Sequence, residues 1–407
     1  MQRNGIAMNA NRKAVFMCLE KRFREAYGNS RGLRFFTAPG RTELAGNHTD
    51  HNNGKVLAAA IDLELVAAVQ PCEGVIELLS TGWEQPFKVQ LDDLGPNRAE
   101  TGRPVALLRG VAAGFQKRGH RIGGFRACVE SSVPQGSGLS SSAAFEILAG
   151  NILNTLYNDG QVDPVQLAVI GQEAENNYYG KPCGLMDQIS CSLGGIVNID
   201  FLHPSHPQIR QLTLDWEAKG WALCIVDTKS RHGDLTSDYS AIRSEMNLVA
   251  QCFGHEVLRN VEQDQFWTGI AGLRTRVGDR ALLRAIHFFE ENQRVDDMVN
   301  AIETGDFDTY LNLVNTSGHS SAEFLQNVVP TGAVKDQAIL LGLALTRKFM
   351  KGEGACRVHG GGFAGTIQAY VPLQVLPKYA KTIAAVFGPD SIHTLTVRTE
   401  RVGETFL

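Results

Sequence analysis

The sequence has no marked excess of one charge, no CxxC pair, no long unbroken apolar run and no low-complexity tract. Each absence excludes a class of protein. Lys and Arg number 39 against 43 Asp and Glu, for a net charge of −4, so the basic excess or stripe of a nucleic-acid binder is missing. The longest apolar runs, such as Val56–Ile61 and Leu63–Val69, are broken by charge. None reaches the roughly 18 residues that a membrane span needs. The first residues, Met1-Gln-Arg-Asn-Gly5, lack the apolar stretch of a secretory signal. The eight cysteines are scattered, several inside apolar runs, where a free thiol packs as a small hydrophobe. The expectation is a reduced, cytoplasmic protein that engages neither membrane nor nucleic acid.

What is present fits a globular enzyme: 407 residues, 43% hydrophobic and 20% charged. That length suits two domains at about 150 residues each. The segment His203-Pro-Ser-His-Pro207 is the best linker, so we expect domains over 1–203 and 204–407. Helical spacing is expected over 11–27, 105–118, 141–157 and 164–178, and later over 235–253, 278–303, 306–316, 333–350 and 377–387. Strands are expected over 33–38, 56–70, 75–79, 87–91, 124–133, 196–201, 209–214 and 221–227, in a strand–loop–strand unit over 356–371, and over 393–398. The segment 40–54 reads as a polar loop. Strands and helices mix without regular alternation, which predicts an α+β fold of two layered domains.

Four segments carry chemistry. The first is Val133-Pro-Gln-Gly-Ser-Gly-Leu-Ser-Ser-Ser-Ala-Ala144, between an apolar strand and a strong helix. Gly136 and Gly138 let the backbone curl so that successive N–H groups aim at one point. Ser140, Ser141 and Ser142 add hydroxyls where a helix begins with partial positive charge. This suits a polyphosphate; a plain helix cap is the simpler alternative, which three serines and two glycines exceed. No GxxxxGK[ST] string occurs.

The second segment, Ala38 to Gly54, gathers Arg41, Glu43, Asn47, His48, Asp50 and His51. Such density suits a polyol or sugar, and a polar surface loop is the alternative. The spacing of His48 and His51 supplies no third ligand for zinc. The third places Asp187 in an apolar context within Gly184-Leu-Met-Asp-Gln-Ile-Ser190. A lone Asp there needs a partner or a task, and an ordinary buried, hydrogen-bonded Asp is the alternative. The fourth is His359-Gly-Gly-Gly-Phe-Ala-Gly365. It matches GxGxxG by letter, but without the βαβ unit and ribose-binding acid of a dinucleotide site. A glycine-rich connection that lets backbone approach a ligand fits it better.

Together these segments resemble the galactokinase branch of the GHMP kinases. The galactokinase signature is similar to Gly40–Asp50, the Pro-x-x-x-Gly-Leu-Ser-Ser-Ser-Ala motif to Pro134–Ala143, and the late Gly-Gly-Gly-Phe motif to Gly360–Phe363. Cys183–Gln188 is galactokinase-like as well. The resemblance implies the two-domain GHMP fold: an N-terminal mixed-sheet domain with helices, a ferredoxin-like C-terminal domain, and the active site between them. It implies ATP-dependent phosphorylation of a sugar at its anomeric hydroxyl, with galactose as the default substrate and Mg2+ as cofactor. Asp187 matches the catalytic base and Arg41 the arginine beside it. Gly136, Ser137, Gly138, Leu139, Ser140 and Ser141 match the ATP phosphate cradle, and Ser142 and Glu175 the magnesium ligands. Asn47, His48, Asp50, Gly184 and Tyr239 match sugar-contacting positions. The expected partners are the small-molecule sugar and ATP, with the chain a monomer or weak homo-oligomer.

The sequence also departs from the pattern. The signature usually carries Asn where this chain has Glu43, Glu where it has Asn47, and Tyr where it has His51. In the family that glutamate meets the sugar's C6 hydroxyl, so Asn47 points to a related acceptor such as galacturonate, glucuronate or arabinose as the alternative. The usual adenine-stacking Trp is replaced in the region of Pro104 and Ala106. A non-catalytic sugar sensor is a further alternative; an intact Ser141-Ser142-Ala143, with Arg41 and Asp187 present, speaks against it.

Overall fold

A computed structural model describes residues 2–134, 138–230, 235–363 and 365–405, with side chains described from residue 12 onward. Among the described residues, twelve strands follow one another: β1 (Arg34–Ala45), β2 (Lys55–Cys72), β3 (Val75–Ser80), β4 (Phe87–Gln90), β5 (Gly124–Ser131), β6 (Ile196–Asp200), β7 (Gln208–Leu212), β8 (Trp221–Asp227), β9 (Ala355–Val358), β10 (Thr366–Pro372), β11 (Ile392–Leu395) and β12 (Gly403–Thr405). The helices are α1 (Gln2–Tyr27), α2 (Pro104–Lys117), α3 (Ser141–Tyr157), α4 (Pro164–Ala174), α5 (Met186–Leu193), α6 (Thr236–Gln251), α7 (Gln263–Val277), α8 (Asp279–Thr304), α9 (Phe307–Ser320), α10 (Ala338–Met350) and α11 (Leu376–Phe387).

Two sheets organise the molecule as a two-domain α+β fold. The first runs β12-β1-β2-β5-β3-β4, with β6 and then β7 pairing on from β2. All its pairs are antiparallel except β3 with β5. Its centre is β2, whose alanines, valines and leucines are almost continuously buried, as suits a strand covered on both faces. The second sheet, β11-β8-β10-β9, is wholly antiparallel. Counting its strands along the chain gives the order 4-1-3-2 of a ferredoxin-like layer. Ile339 and Leu343 of α10 and Tyr379 and Ile383 of α11 pack on it in one apolar cluster.

Sheet membership does not divide at residue 203. Gln208–Leu212 still pairs with β6, and the C-terminal Gly403–Thr405 returns to pair with β1. Part of the expected polar loop 40–54 is also strand. β1 continues to Ala45, because Thr42, Glu43, Leu44 and Ala45 are buried against β2. Only the turn 46–54 and the short 3-10 segment Asp50–Asn52 remain outside it. Helix α7 goes beyond the sequence reading. Its buried face is only Phe266 and Leu273, and Gly269 and Gly272 dilute its helical pattern.

Local signals held elsewhere. Asp163 caps α4, accepting from the backbone N–H of Val165 and Gln166 with Pro164 in the first turn. That helix leaves its regular path in a π-helical turn, Glu175–Tyr179, closed by Gly180 at φ 85°. Such turns often re-aim a side chain at a site, and here the residue at its start is Glu175.

Candidate active site

The site is assembled around one carboxylate. Asp187 sits in the first turn of α5, where helix polarity favours a negative charge. Arg41 of β1 grips it in a fork: Nε to Oδ1 at 2.7 Å and Nη2 to Oδ2 at 2.8 Å. Ser140 donates its hydroxyl to Asp187 Oδ2 as well. Burial alone would raise the Asp187 pKa, but Arg41, Ser140 and Lys181 outweigh it and hold the carboxyl below its ordinary value. Asp187 is therefore ionised at neutral pH.

Arg41 reaches this position because β1 bulges. The β1–β2 register shifts between Pro39 and Arg41, which re-aims the next side chain. At the bulge, the Arg41 N–H donates to the Leu139 carbonyl at 3.2 Å, and the Arg41 guanidinium donates to the Gly138 carbonyl. A Cβ on Gly40 would stand 2.8 Å from that Leu139 oxygen, so residue 40 must be glycine for the loop to dock. Gly138 has φ 72° and Ser140 φ 57°, the left-handed bends that curl the loop into α3. Ser140 occupies the cap position of α3 without capping it; its hydroxyl serves Asp187 instead. Leu139 is fully buried. Ser141 opens α3, and the expected cradle residues Gly136 and Ser137 lie outside the described residues.

In the first turn of α3, Ser142 Oγ donates to Glu175 Oε1 at 3.1 Å. Lys181 Nζ lies 3.0 Å from the same oxygen, and Gln188 Nε2 donates to Glu175 Oε2 at 3.0 Å and to Glu146 Oε2 at 3.0 Å. Burial beside Glu175 pushes the Glu146 carboxyl well above its ordinary value. The pair Ser142–Glu175 offers hard oxygen donors, and the Lys181 ammonium already pairs with the same carboxylate, so the donor chemistry fits a hard cation such as Mg2+. Among the described residues, no group of three or more His, Cys, Asp or Glu is placed to hold a metal.

The acceptor side is held by the glycine turn. Its three consecutive carbonyls are all engaged by side chains: Gly360 accepts from Asn47 Nδ2 at 2.7 Å, Gly361 from His48 Nε2 at 2.9 Å and from Asn327 Nδ2 at 3.1 Å, and Gly362 from Tyr239 Oη at 3.1 Å. A Cβ on Gly361 would meet the Tyr239 ring at 2.6 Å, and one on Gly362 the Asn327 carbonyl oxygen at 2.2 Å. The glycines thus make room for protein groups that fold onto the turn, the Tyr239 ring and the Asn327 backbone. Asp50 lies nearby, and a Cβ on Gly184 would come within 2.0 Å of its Oδ2. Burial and the Asp187 charge raise the Asp50 pKa to about 6.

Asn47 departs from expectation. Its side chain is wholly buried, donating to Glu43 Oε1 at 3.0 Å and accepting from Asn327 Nδ2 at 2.8 Å and Ser321 Oγ at 3.3 Å. Its backbone is clasped from α8: His287 Nε2 donates to the Asn47 carbonyl at 2.9 Å, and Glu291 Oε1 accepts from Gly46 N–H at 3.1 Å. The amide therefore braces the turn from inside, with its donors and acceptor all engaged by protein. Sequence reading missed Lys181, Gln188, Glu146 and the α8 clasp. Gln188 at least adjoins Asp187 in the quoted string; the others come from segments with no local signal.

Comparisons with known proteins identify the family. A family profile described as the galactokinase galactose-binding signature matches residues 21–71, and one described as the GHMP kinases N terminal domain matches residues 106–195. A curated galactokinase of Streptomyces coelicolor is 31% identical over 383 residues, covering 92% of this chain and 94% of that protein. The crystal structure of Lactococcus lactis galactokinase complexed with galactose superposes with a TM-score of 0.80 at 23% identity, covering 97% of this chain and 100% of that one. Methanococcus jannaschii mevalonate kinase is similar in fold, with a TM-score of 0.64 at 16% identity over 90% of this chain and 99% of that one. The chain belongs to the galactokinase family of the GHMP kinases.

Proposed function

We propose that the protein phosphorylates galactose at its anomeric hydroxyl, using ATP. The observation that carries this is the shared carboxylate: Asp187 is gripped by Arg41 from the signature strand and by Ser140 from the serine loop. Base, cation and phosphate loop are thereby one rigid unit, as phosphoryl transfer requires. The sugar's hydroxyl oxygen attacks the γ-phosphorus, its bond to phosphorus forms, the bond to the β-phosphate oxygen breaks, and ADP leaves. The hydroxyl proton passes to Asp187. Arg41 keeps Asp187 ionised until then and offsets charge on the transferring group. The uncapped first turn of α3 supports a phosphate site on the donor side. Asp50 and Tyr239, with Gly184 leaving room for the Asp50 carboxylate, would line the acceptor side, and the His48 ring lies beside them.

Ser142 and Glu175 would hold Mg2+, which supplies charge neutralisation on the phosphate oxygens when bound. Lys181, now on Glu175, is placed to move toward those oxygens.

A second reading, a kinase for galacturonate, glucuronate or arabinose, rests on the identity of residue 47, an Asn where the family signature carries Glu. Sugar-dependent ADP release over galactose, galacturonate, glucuronate, arabinose and N-acetylgalactosamine tests both. Galactose is expected to be turned over best. Preference for another sugar would replace it, and binding without ADP release would make the protein a sensor.

A further inference from the structure

The turn that carries His48 contains a chain of hydrogen bonds whose direction is set at both ends. At one end, Asn52 Oδ1 accepts from the backbone N–H of Leu258 at 3.0 Å. That contact orients the amide, so Asn52 Nδ2, 3.1 Å from His51 Nδ1, donates to it. At the other end, His48 Nε2 lies 2.9 Å from the Gly361 carbonyl oxygen. A carbonyl only accepts, so His48 Nε2 carries a proton. Between them, His48 Nδ1 and His51 Nε2 are 3.3 Å apart. Burial pushes both imidazoles below their ordinary pKa, so each neutral ring holds one N–H. His51 accepts at Nδ1 and therefore donates from Nε2, to the nitrogen of His48 that Gly361 leaves as an acceptor. Every nitrogen in the chain finds a matching partner.

The geometry gives the chain something to hold. His48 adopts φ 60°, a left-handed conformation uncommon for a residue with a side chain. Its ring lies beside Tyr239, centroids 6.4 Å apart and 26° between planes. Tyr239 is itself fixed on the neighbouring Gly362 carbonyl at 3.1 Å.

We propose that His51, where the galactokinase signature usually carries Tyr, is a positioning residue for the acceptor site: its Nε2–H locks His48 in the Nε2–H tautomer. Both nitrogens of His48 are then committed to protein, and the residue meets the sugar with a fixed ring beside Tyr239 in place of a free hydrogen-bonding nitrogen. The proposal rests on the reading that the sugar binds between Asp187 and Tyr239.

The test uses the full chain labelled with 15N-histidine. At neutral pH the resonances of His48 should report a protonated Nε2 and an accepting Nδ1. His51→Phe removes the donor, so His48 should shift toward mixed tautomers. The KM for galactose should rise about three- to tenfold, the factor for one lost neutral hydrogen bond, while kcat changes little. His51→Gln, whose amide still donates, should restore most of the KM and the tautomer. A wild-type His48 protonated at Nδ1, or a pattern unchanged by His51→Phe, overturns the relay. An unchanged KM in His51→Phe, or an equal loss in His51→Gln and His51→Phe, overturns the positioning role. The tautomer is read without substrate, so failure to phosphorylate galactose would sink the acceptor assignment while leaving the relay to be judged by its own signal.

Discussion

Asn47 Nδ2 donates to Glu43 Oε1 at 3.0 Å, and both side chains are buried. The galactokinase signature usually carries these two residue types the other way round, so one carboxylate and one amide have exchanged places across a single hydrogen bond. The carboxylate at 43 is also ion-paired with Arg357 Nη2, while Arg357 Nη1 donates to the Leu44 carbonyl at 2.8 Å. A wholly buried guanidinium thus depends on residue 43.

Restoring the usual glutamate alone should therefore fail. Asn47→Glu places a second carboxylate against Glu43 and removes the amide donor to Gly360. It should cost at least about 2 kcal/mol in urea unfolding, the scale of an uncompensated buried charge. Coupling it with Glu43→Asn should recover a large part. Strict additivity in that double-mutant cycle would show that the two positions are independent.

Asp187→Asn keeps the shape of the site but removes the proton acceptor and weakens the Arg41 fork. The kcat should fall about 10²- to 10⁴-fold, while calorimetric ATP binding stays close to wild type. Near-normal turnover would assign the base elsewhere.

Asp50 yields a pH prediction. Its carboxyl is raised to about 6 from an ordinary 3.8, first by burial and then by the Asp187 charge. If the ionised form accepts sugar hydroxyls, the KM for galactose should rise as pH falls through about 6, with kcat following the lower Asp187 value. Stability runs the other way. Between 3.8 and about 6 the folded state binds the extra proton, so this group's contribution is lost as pH rises through that window. Asp50→Asn should accordingly raise the melting temperature at pH 7 while raising the KM about 10- to 100-fold, the factor for hydrogen bonds to a charged group. A KM profile flat from pH 5 to 7 would show that Asp50 does not meet the sugar in its ionised form.

Glu175→Gln should shift the Mg2+ dependence of ADP release to higher concentration and reduce kcat, because a neutral amide is a poor ligand for a hard cation. Unchanged Mg2+ dependence would exclude Glu175 as a ligand.

Gly40→Ala tests how the serine loop docks. Its Cβ would press on the Leu139 carbonyl, a backbone atom that cannot swing aside. The KM for ATP should rise and the loop's amide protons should exchange faster. A variant equal to wild type in both would mean that the loop does not need this contact.

The chemistry-bearing segments and most of the elements that carry them are legible in local sequence patterns. The extent of α3, the Asp163 cap and the strand Trp221–Asp227 follow from periodicity and capping, which are local. Arg41, Asp187 and Ser142 stand in dense, unusual strings, whereas Glu175 is marked only by the resemblance to the family. The tertiary structure decided which of these meet. Asp187 joins Arg41 across 146 residues of chain and Ser140 across 47, pairings that no local pattern encodes. It also buried Asn47: that burial depends on what α8 and the Asn327 segment bring over the turn, and both lie more than 200 residues away. The glycine turn shows the same limit. Its letters announce that something approaches the backbone, while only the folded chain shows Asn47, His48 and Tyr239 to be what does.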